Sequence, residues 1–165
     1  MSVKKTIAIV GATEKKGTGI ASRLASANYR LLLVSHDMNR LEEVTAKILH
    51  AQPVAEIDAL ECVKDGCWEA DVILFAIACN EEKQVADLMK EVATQKIVVS
   101  ISDERNTTEE LQKLLPYSKI VKVSIDSSSN EVTITGNDDE ADAEIEAIFK
   151  NAGYAVKRPY HFSES

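Results

Sequence analysis

Cysteine is scarce in this chain: Cys62, Cys67 and Cys79 are an odd set with no C-x-x-C spacing. That argues against a disulfide framework and a zinc site, and fits a reducing compartment. No His, Cys and Asp set has the spacing of metal ligands, and no Gly-x-Ser-x-Gly elbow occurs. Long apolar runs are missing too. The first, Ile7–Val10, is too short for a signal-peptide core, and nothing reaches membrane-spanning length. The expected location is cytoplasmic. A basic excess is also absent: the net charge of −8 argues against a nucleic-acid partner. The one dense acidic stretch, Asp138 to Glu146, falls in a helix-like pattern and reads as a solvated face. There is no repeat, low-complexity tract or linker, so residues 1–165 are expected to form a single domain.

What is present is alternation. Short apolar runs at Ile7–Val10, Leu31–Val34, Val54–Ile57, Val72–Ile77 and Ile97–Ile101 read as buried strands. Between them lie helical faces. The first carries Ile20, Ala21, Leu24 and Ala25; the second, capped by Asp37, carries Met38, Leu41, Val44, Ile48 and Leu49. A short helix is expected to end near Gly66. Another carries Val85, Leu88, Met89 and Val92, and a last one in this part carries Leu111, Leu114 and Leu115 and stops at Pro116. The final third changes rhythm. Lys119–Ile125 and Glu131–Thr135 are joined by Ser127–Asn130, too short for a crossover helix, so an antiparallel pair is expected. A helix from about 138 to 151 stops at Gly153, and Tyr154–Lys157 forms an edge strand. The fold class is α/β: a three-layer Rossmann fold, doubly wound on a mostly parallel sheet with an antiparallel C-terminal part.

The first strand runs into Gly11-Ala12-Thr13-Glu14-Lys15-Lys16-Gly17-Thr18-Gly19, where a helix opens. A glycine turn in this setting suits a dinucleotide. Glycine allows the tight turn, backbone approaches the pyrophosphate, and the helix start offers N–H groups and positive dipole. Gly17 allows close helix–strand packing, and Thr13 can donate a hydroxyl. Glu14 stands where a middle glycine is usual. A carboxylate about 4 Å from one phosphate charge costs about 4 kcal/mol at an effective dielectric of about 20. Lys15 and Lys16 could offset that charge. The second strand ends in Ser35-His36-Asp37, with Arg40 one turn on. Hydroxyl, imidazole and guanidinium together suit a ribose 2′-phosphate, so the cluster favours NADP over NAD. Asp37 is the competing NAD residue, and an ion pair with Glu42 or Glu43 is the competing role for Arg40.

These stretches resemble the N-terminal domain of the coenzyme F-420-dependent NADP oxidoreductases, whose usual pattern is Gly-Gly-Thr-Gly-x-x-Gly-x-Gly-Leu-Ala and later Ser-Arg. The same unit is similar to the oxidoreductase domain of STEAP-type metalloreductases and to pyrroline-5-carboxylate reductase. Further matches follow in order: Glu69–Ile77, then Leu114-Leu115-Pro116 with Lys119–Val123, then Gly136–Ala141, with Gly153 closing the last helix. The resemblance implies NADP as cofactor and a flavin-like acceptor for its hydride. It places Gly11, Thr13, Glu14, Lys15, Lys16 and Gly17 at the pyrophosphate. Ser35, His36 and Arg40 fall at the 2′-phosphate, and Ala76 and Ile77 along the nicotinamide half. The departures are Glu14 for glycine, His36 for arginine, Ala78 for proline, Ile125 for asparagine, and a short Ser127–Asn130 loop. No C-terminal domain is expected, so a homodimer or a partner protein would supply the acceptor side.

Three other groups are candidates for chemistry: Cys79, the Asp103-Glu104-Arg105 loop, and Tyr160 with His161. A buried inert cysteine and a solvated loop are the plainer roles for the first two. The competing function is a non-catalytic nucleotide-binding or interaction module with a degenerate site. One form of it binds coenzyme A through Lys15 and Lys16.

Overall fold

The alternation read from the sequence becomes one eight-stranded sheet in a computed structural model that describes residues 5–77, 79–101, 109–126, 128–136 and 138–158. The strands are β1 (Thr6–Val10), β2 (Arg30–Val34), β3 (Glu56–Leu60), β4 (Val72–Phe75), β5 (Ile97–Ile101), β6 (Lys119–Asp126), β7 (Glu131–Gly136) and β8 (Ala155–Lys157). The helices are α1 (Lys15–Ala25), α2 (Met38–Ala51), α3 (Val63–Glu69), α4 (Cys79–Met89), α5 (Glu109–Leu114) and α6 (Asp139–Asn151). Strand order is β3-β2-β1-β4-β5-β6-β7-β8, parallel throughout except for the β6–β7 pair. Chain direction across the sheet therefore reverses between β1 and β4, and that gap opens a crevice at the strand C-termini.

Successive strand residues face opposite layers because side chains alternate with period two. Ile7, Ile9, Leu31 and Leu33 pack with α1, α2 and α6; Ala8, Val10, Leu32 and Val34 pack with α3, α4 and α5. The helices supply matching stripes, such as Ile20, Ala21, Leu24 and Ala25 on α1. Phe149 and Tyr154 meet edge-on, and the Arg23 guanidinium lies 4.7 Å from the Tyr154 ring centroid, tying α1 to the turn between α6 and β8. In the other layer, burial pushes the Cys67 thiol up to about 12 against the pull of the Lys96 ammonium, so this thiol stays protonated. Lys96 Nζ also donates to the Cys67 and Trp68 carbonyls, capping the end of α3.

Three local expectations are corrected. The third strand runs Glu56–Leu60 rather than Val54–Ile57; Val54 is 87% exposed in the turn after Pro53. Gly66 does not end α3 but lies buried within it, where a Cβ would stand 2.8 Å from Val34 Cγ2. On α4 the inward face carries Glu82, Ala86 and Met89, while Leu88 is 62% exposed and Val92 lies beyond the helix. Asp103, Glu104, Arg105, Tyr160, His161, Ala78 and the Cys79 side chain lie outside the described residues.

Gly17 packs tightly on the turn after β1: an added Cβ would lie 2.2 Å from the Gly11 carbonyl oxygen. Two residues further along α1, Gly19 has nothing within 4 Å of an added Cβ. Gly17→Ala should therefore destabilise the fold by about 2–3 kcal/mol through overpacking. Gly19→Ala should stabilise it by about 0.5–1 kcal/mol through helix propensity. Denaturant melts of the two variants check this opposition.

Asp142 on α6 is 5% exposed, and its Oδ1 has no hydrogen-bond partner. Burial raises its pKa above 3.8, partly opposed by Arg158 and reinforced by Asp138 and Asp139. The native state thus holds this proton more tightly than the unfolded chain, and stability falls as pH rises through the raised value. Asp142→Asn removes the buried charge, and with it the cost of releasing a tightly held proton, so it should raise stability at neutral pH. The gain should vanish below the ordinary carboxylate range, as melts across pH will show.

Candidate functional site

The crevice begins where β1 ends. Gly11 takes φ +88°, a left-handed backbone that glycine adopts without strain. An added Cβ there would lie 2.6 Å from the Ala76 carbonyl oxygen and 2.6 Å from Ile77 Cγ2. The turn thus passes directly against the end of β4. The Gly11 and Ala12 amides both donate to the Val34 carbonyl, at 3.1 and 3.3 Å, pinning the turn to β2. The Thr18 hydroxyl donates to the Ala12 carbonyl at 2.8 Å. Glu14 occupies the N-cap of α1, yet its carboxylate makes no capping hydrogen bond, and no acid follows in the first turn. The start of α1 thus carries no side-chain cap, an arrangement that suits an anion.

Behind the turn, Thr13 Oγ1 and Ser35 Oγ lie 3.1 Å apart, and both residues are buried. Ser35 Oγ also accepts from the Asp37 amide at 3.2 Å. Two hydroxyl protons serve this pair: one spans the gap, and the other remains to donate. Asp37 behaves as the cap the sequence suggested, its carboxylate accepting from the Arg40 amide at 3.1 Å. One carboxylate oxygen is thereby held at the start of α2. The Arg40 guanidinium and the His36 ring are exposed and have no ion-pair or hydrogen-bond partner among the described residues. The alternative pairing of Arg40 with Glu42 or Glu43 is not among the described ion pairs.

A cavity of about 210 Å³ occupies this edge. Of the residues singled out from the sequence, Gly11, Thr13, Glu14, Ser35, His36, Arg40 and Ile77 line it together. Lys15, Lys16, Gly17 and Ala76 are not in its lining. The two lysines are exposed on the first turn of α1, Gly17 packs behind Gly11, and Ala76 is buried with its carbonyl against Gly11.

The structure adds residues that the sequence reading missed. Val63 and Val85 give the cavity an apolar side, and Glu61 and Glu81 give it two further carboxylates. Glu61 follows β3 directly, so placing that strand several residues too early put its true end out of view. Glu81 and Val85 share one face of α4, four residues apart, which the register of apolar positions alone did not separate from the buried face. Among the described residues no cluster of His, Cys, Asp and Glu could hold a metal. No helix there is long and apolar enough to cross a membrane.

Comparison with known proteins agrees with this geometry. Residues 6–104 match the family model described as NADP oxidoreductase coenzyme F420-dependent. An F420-dependent NADP reductase of Methanocaldococcus jannaschii is 28% identical over 167 residues, covering 82% of this chain and 74% of that protein. Two solved structures share the fold. The (S)-3-hydroxybutyryl-CoA dehydrogenase of Ralstonia eutropha superposes with a TM-score of 0.77 at 16% identity, covering 94% of this chain and 63% of its own. The Plasmodium falciparum pyrroline carboxylate reductase, solved with NADP bound, gives 0.73 at 15% identity, covering 94% and 58%. The chain thus spans less than two thirds of the length of these two structures. With more than half of its length inside the family model, the chain belongs to the coenzyme F420-dependent NADP oxidoreductase family and carries its NAD(P)-binding Rossmann domain.

Proposed function

We propose that this chain is the cofactor domain of an NADP-preferring oxidoreductase, holding the dinucleotide in the crevice at the ends of β1, β2 and β4. The observation that carries this reading is the pair of unpartnered basic groups, His36 and Arg40, beside the buried Thr13–Ser35 hydroxyl pair. A ribose 2′-phosphate offers acceptors to all of them. Gly11 lets the turn close against the end of β4, which brings the start of α1 to the crevice, where backbone N–H groups can meet a pyrophosphate. Val63 and Val85 give apolar surface for an adenine ring. Ala76 and Ile77, at the end of β4, fall on the nicotinamide side. When bound, the nicotinamide exchanges hydride with an acceptor, here of flavin type; the chain binds, orients and shields it. A partner protein or second copy would present that acceptor.

Glu14 is the one group in the turn opposed to a phosphate, and it favours a second reading: a nucleotide- or coenzyme A-binding module without hydride transfer. Lys15 and Lys16, the residues that would serve coenzyme A, stand outside the cavity lining. Thermal-shift and calorimetric titrations with NADPH, NADH and coenzyme A separate the two. NADPH should stabilise the fold, by about 2.7 kcal/mol at a hundred times its Kd. No shift with either nicotinamide nucleotide at millimolar concentration overturns the first reading; a shift with coenzyme A alone supports the second.

Two variants probe the roles directly. Arg40→Ala should weaken NADPH about tenfold and leave NADH nearly unchanged, because only the former carries the 2′-phosphate. Glu14→Gln removes the charge without altering the turn, and should tighten both nucleotides about tenfold. Calorimetric Kd values for both ligands check each expectation.

A further inference from the structure

We propose that Glu61 limits 2′-phosphate selectivity in this crevice, so that the site takes NADH alongside NADPH. The proposal rests on the dinucleotide reading above and adds a specificity residue to it. The β2–β3 register pairs Val34 with Leu60, and the Ser35 amide donates to the Leu60 carbonyl at 3.3 Å. The two strands therefore end level. Ser35 leaves one of them and Glu61 the other, at the same edge of the sheet. Both residues line the cavity that His36 and Arg40 also line.

Glu61 is exposed, and its carboxylate has no ion-pair or hydrogen-bond partner among the described residues. Arg40 is in the same condition, so neither charge cancels the other before a ligand arrives. A 2′-phosphate entering here is drawn by Arg40 and repelled by Glu61. A 2′-hydroxyl donates to the same carboxylate and meets no repulsion. The other carboxylates of the lining are placed differently. Asp37 has one oxygen bonded to the Arg40 amide at the start of α2, and Glu14 sits at the N-cap of α1, beside the turn where this reading places the pyrophosphate that both cofactors share. Glu81 comes from α4, on the far side of the cavity from the β2–β3 pair in the strand order.

The test is calorimetric titration of the wild-type chain, Glu61→Gln and Glu61→Lys with NADPH and NADH, at low and at high salt. Glu61→Gln should raise the NADPH-to-NADH affinity ratio about tenfold, mainly through NADPH, and Glu61→Lys should raise it further. The change should shrink with added salt, since the screening length falls from about 10 Å at 0.1 M to about 3 Å at 1 M. A packing role for Glu61 gives no such salt dependence. An unchanged ratio in both variants overturns the proposal, as does an equal loss of both ligands. A wild-type chain that binds neither nucleotide overturns the dinucleotide reading as well. A wild-type chain that binds both, with a ratio insensitive to Glu61, overturns this inference alone.

Discussion

Three stretches of backbone that meet without side chains between them hold this molecule's site in place. The Gly11 carbonyl touches the α carbon of Gly17, and the other side of Gly11 lies against the Ala76 carbonyl. This contact sets how closely α1 sits on β1 and how closely the turn sits on β4. Everything else at the crevice follows from it. Thr13 reaches Ser35, the start of α1 opens onto the strand ends, and Ile77 closes the far wall. Both amides that lead out of β1 are bonded to β2, so the turn is fixed from two directions. The apolar layers on either face stabilise the sheet, but the three-way contact is what gives the sheet a site.

Charge is distributed unevenly over that site. A helix start carries a partial positive charge, and Glu14 sits on it without making a cap hydrogen bond. The carboxylate thereby occupies the field that elsewhere attracts a phosphate, and the dipole accounts for its tolerance in a turn that otherwise favours glycine. Asp37 shows the opposite arrangement: one of its oxygens accepts from the Arg40 amide, which ties the carboxylate to the start of α2. Two acids separated by one strand end thus act differently because one has a backbone partner and the other has none.

The fold was legible in the sequence wherever periodicity and punctuation agreed. Ile7–Val10 before Gly11, the Leu31–Val34 run, and the short Ser127–Asn130 connection each led to the observed strand and its direction. Legibility failed where one signal stood alone. Val54–Ile57 is apolar enough for a strand, but the chain turns there, and the strand lies among the mixed residues Glu56–Leu60 of an outer position, half facing solvent. Gly66 looked like a stop, yet it is a contact point against Val34, a distinction only the neighbouring strand makes. For the site, the turn and the end of β2 were readable because each is a compact local pattern. The third side, Glu61, Val63, Glu81 and Val85, was not, because it assembles from segments that meet only through sheet order.

The crevice joins a fixed floor to a pliant rim. Gly11, Thr13, Val34 and Ser35 are buried, and their contacts belong to the fold itself. Glu14, His36, Arg40, Glu61 and Glu81 are exposed and hold no side-chain partner among the described residues. Substitutions at such surface positions usually move stability by no more than about 0.5 kcal/mol. Substitutions in the floor carry the cost of repacking. Cofactor preference in a lineage with this architecture is therefore free to drift by single rim changes while the sheet beneath stays intact, so that fold and ligand can evolve at different rates within one short chain.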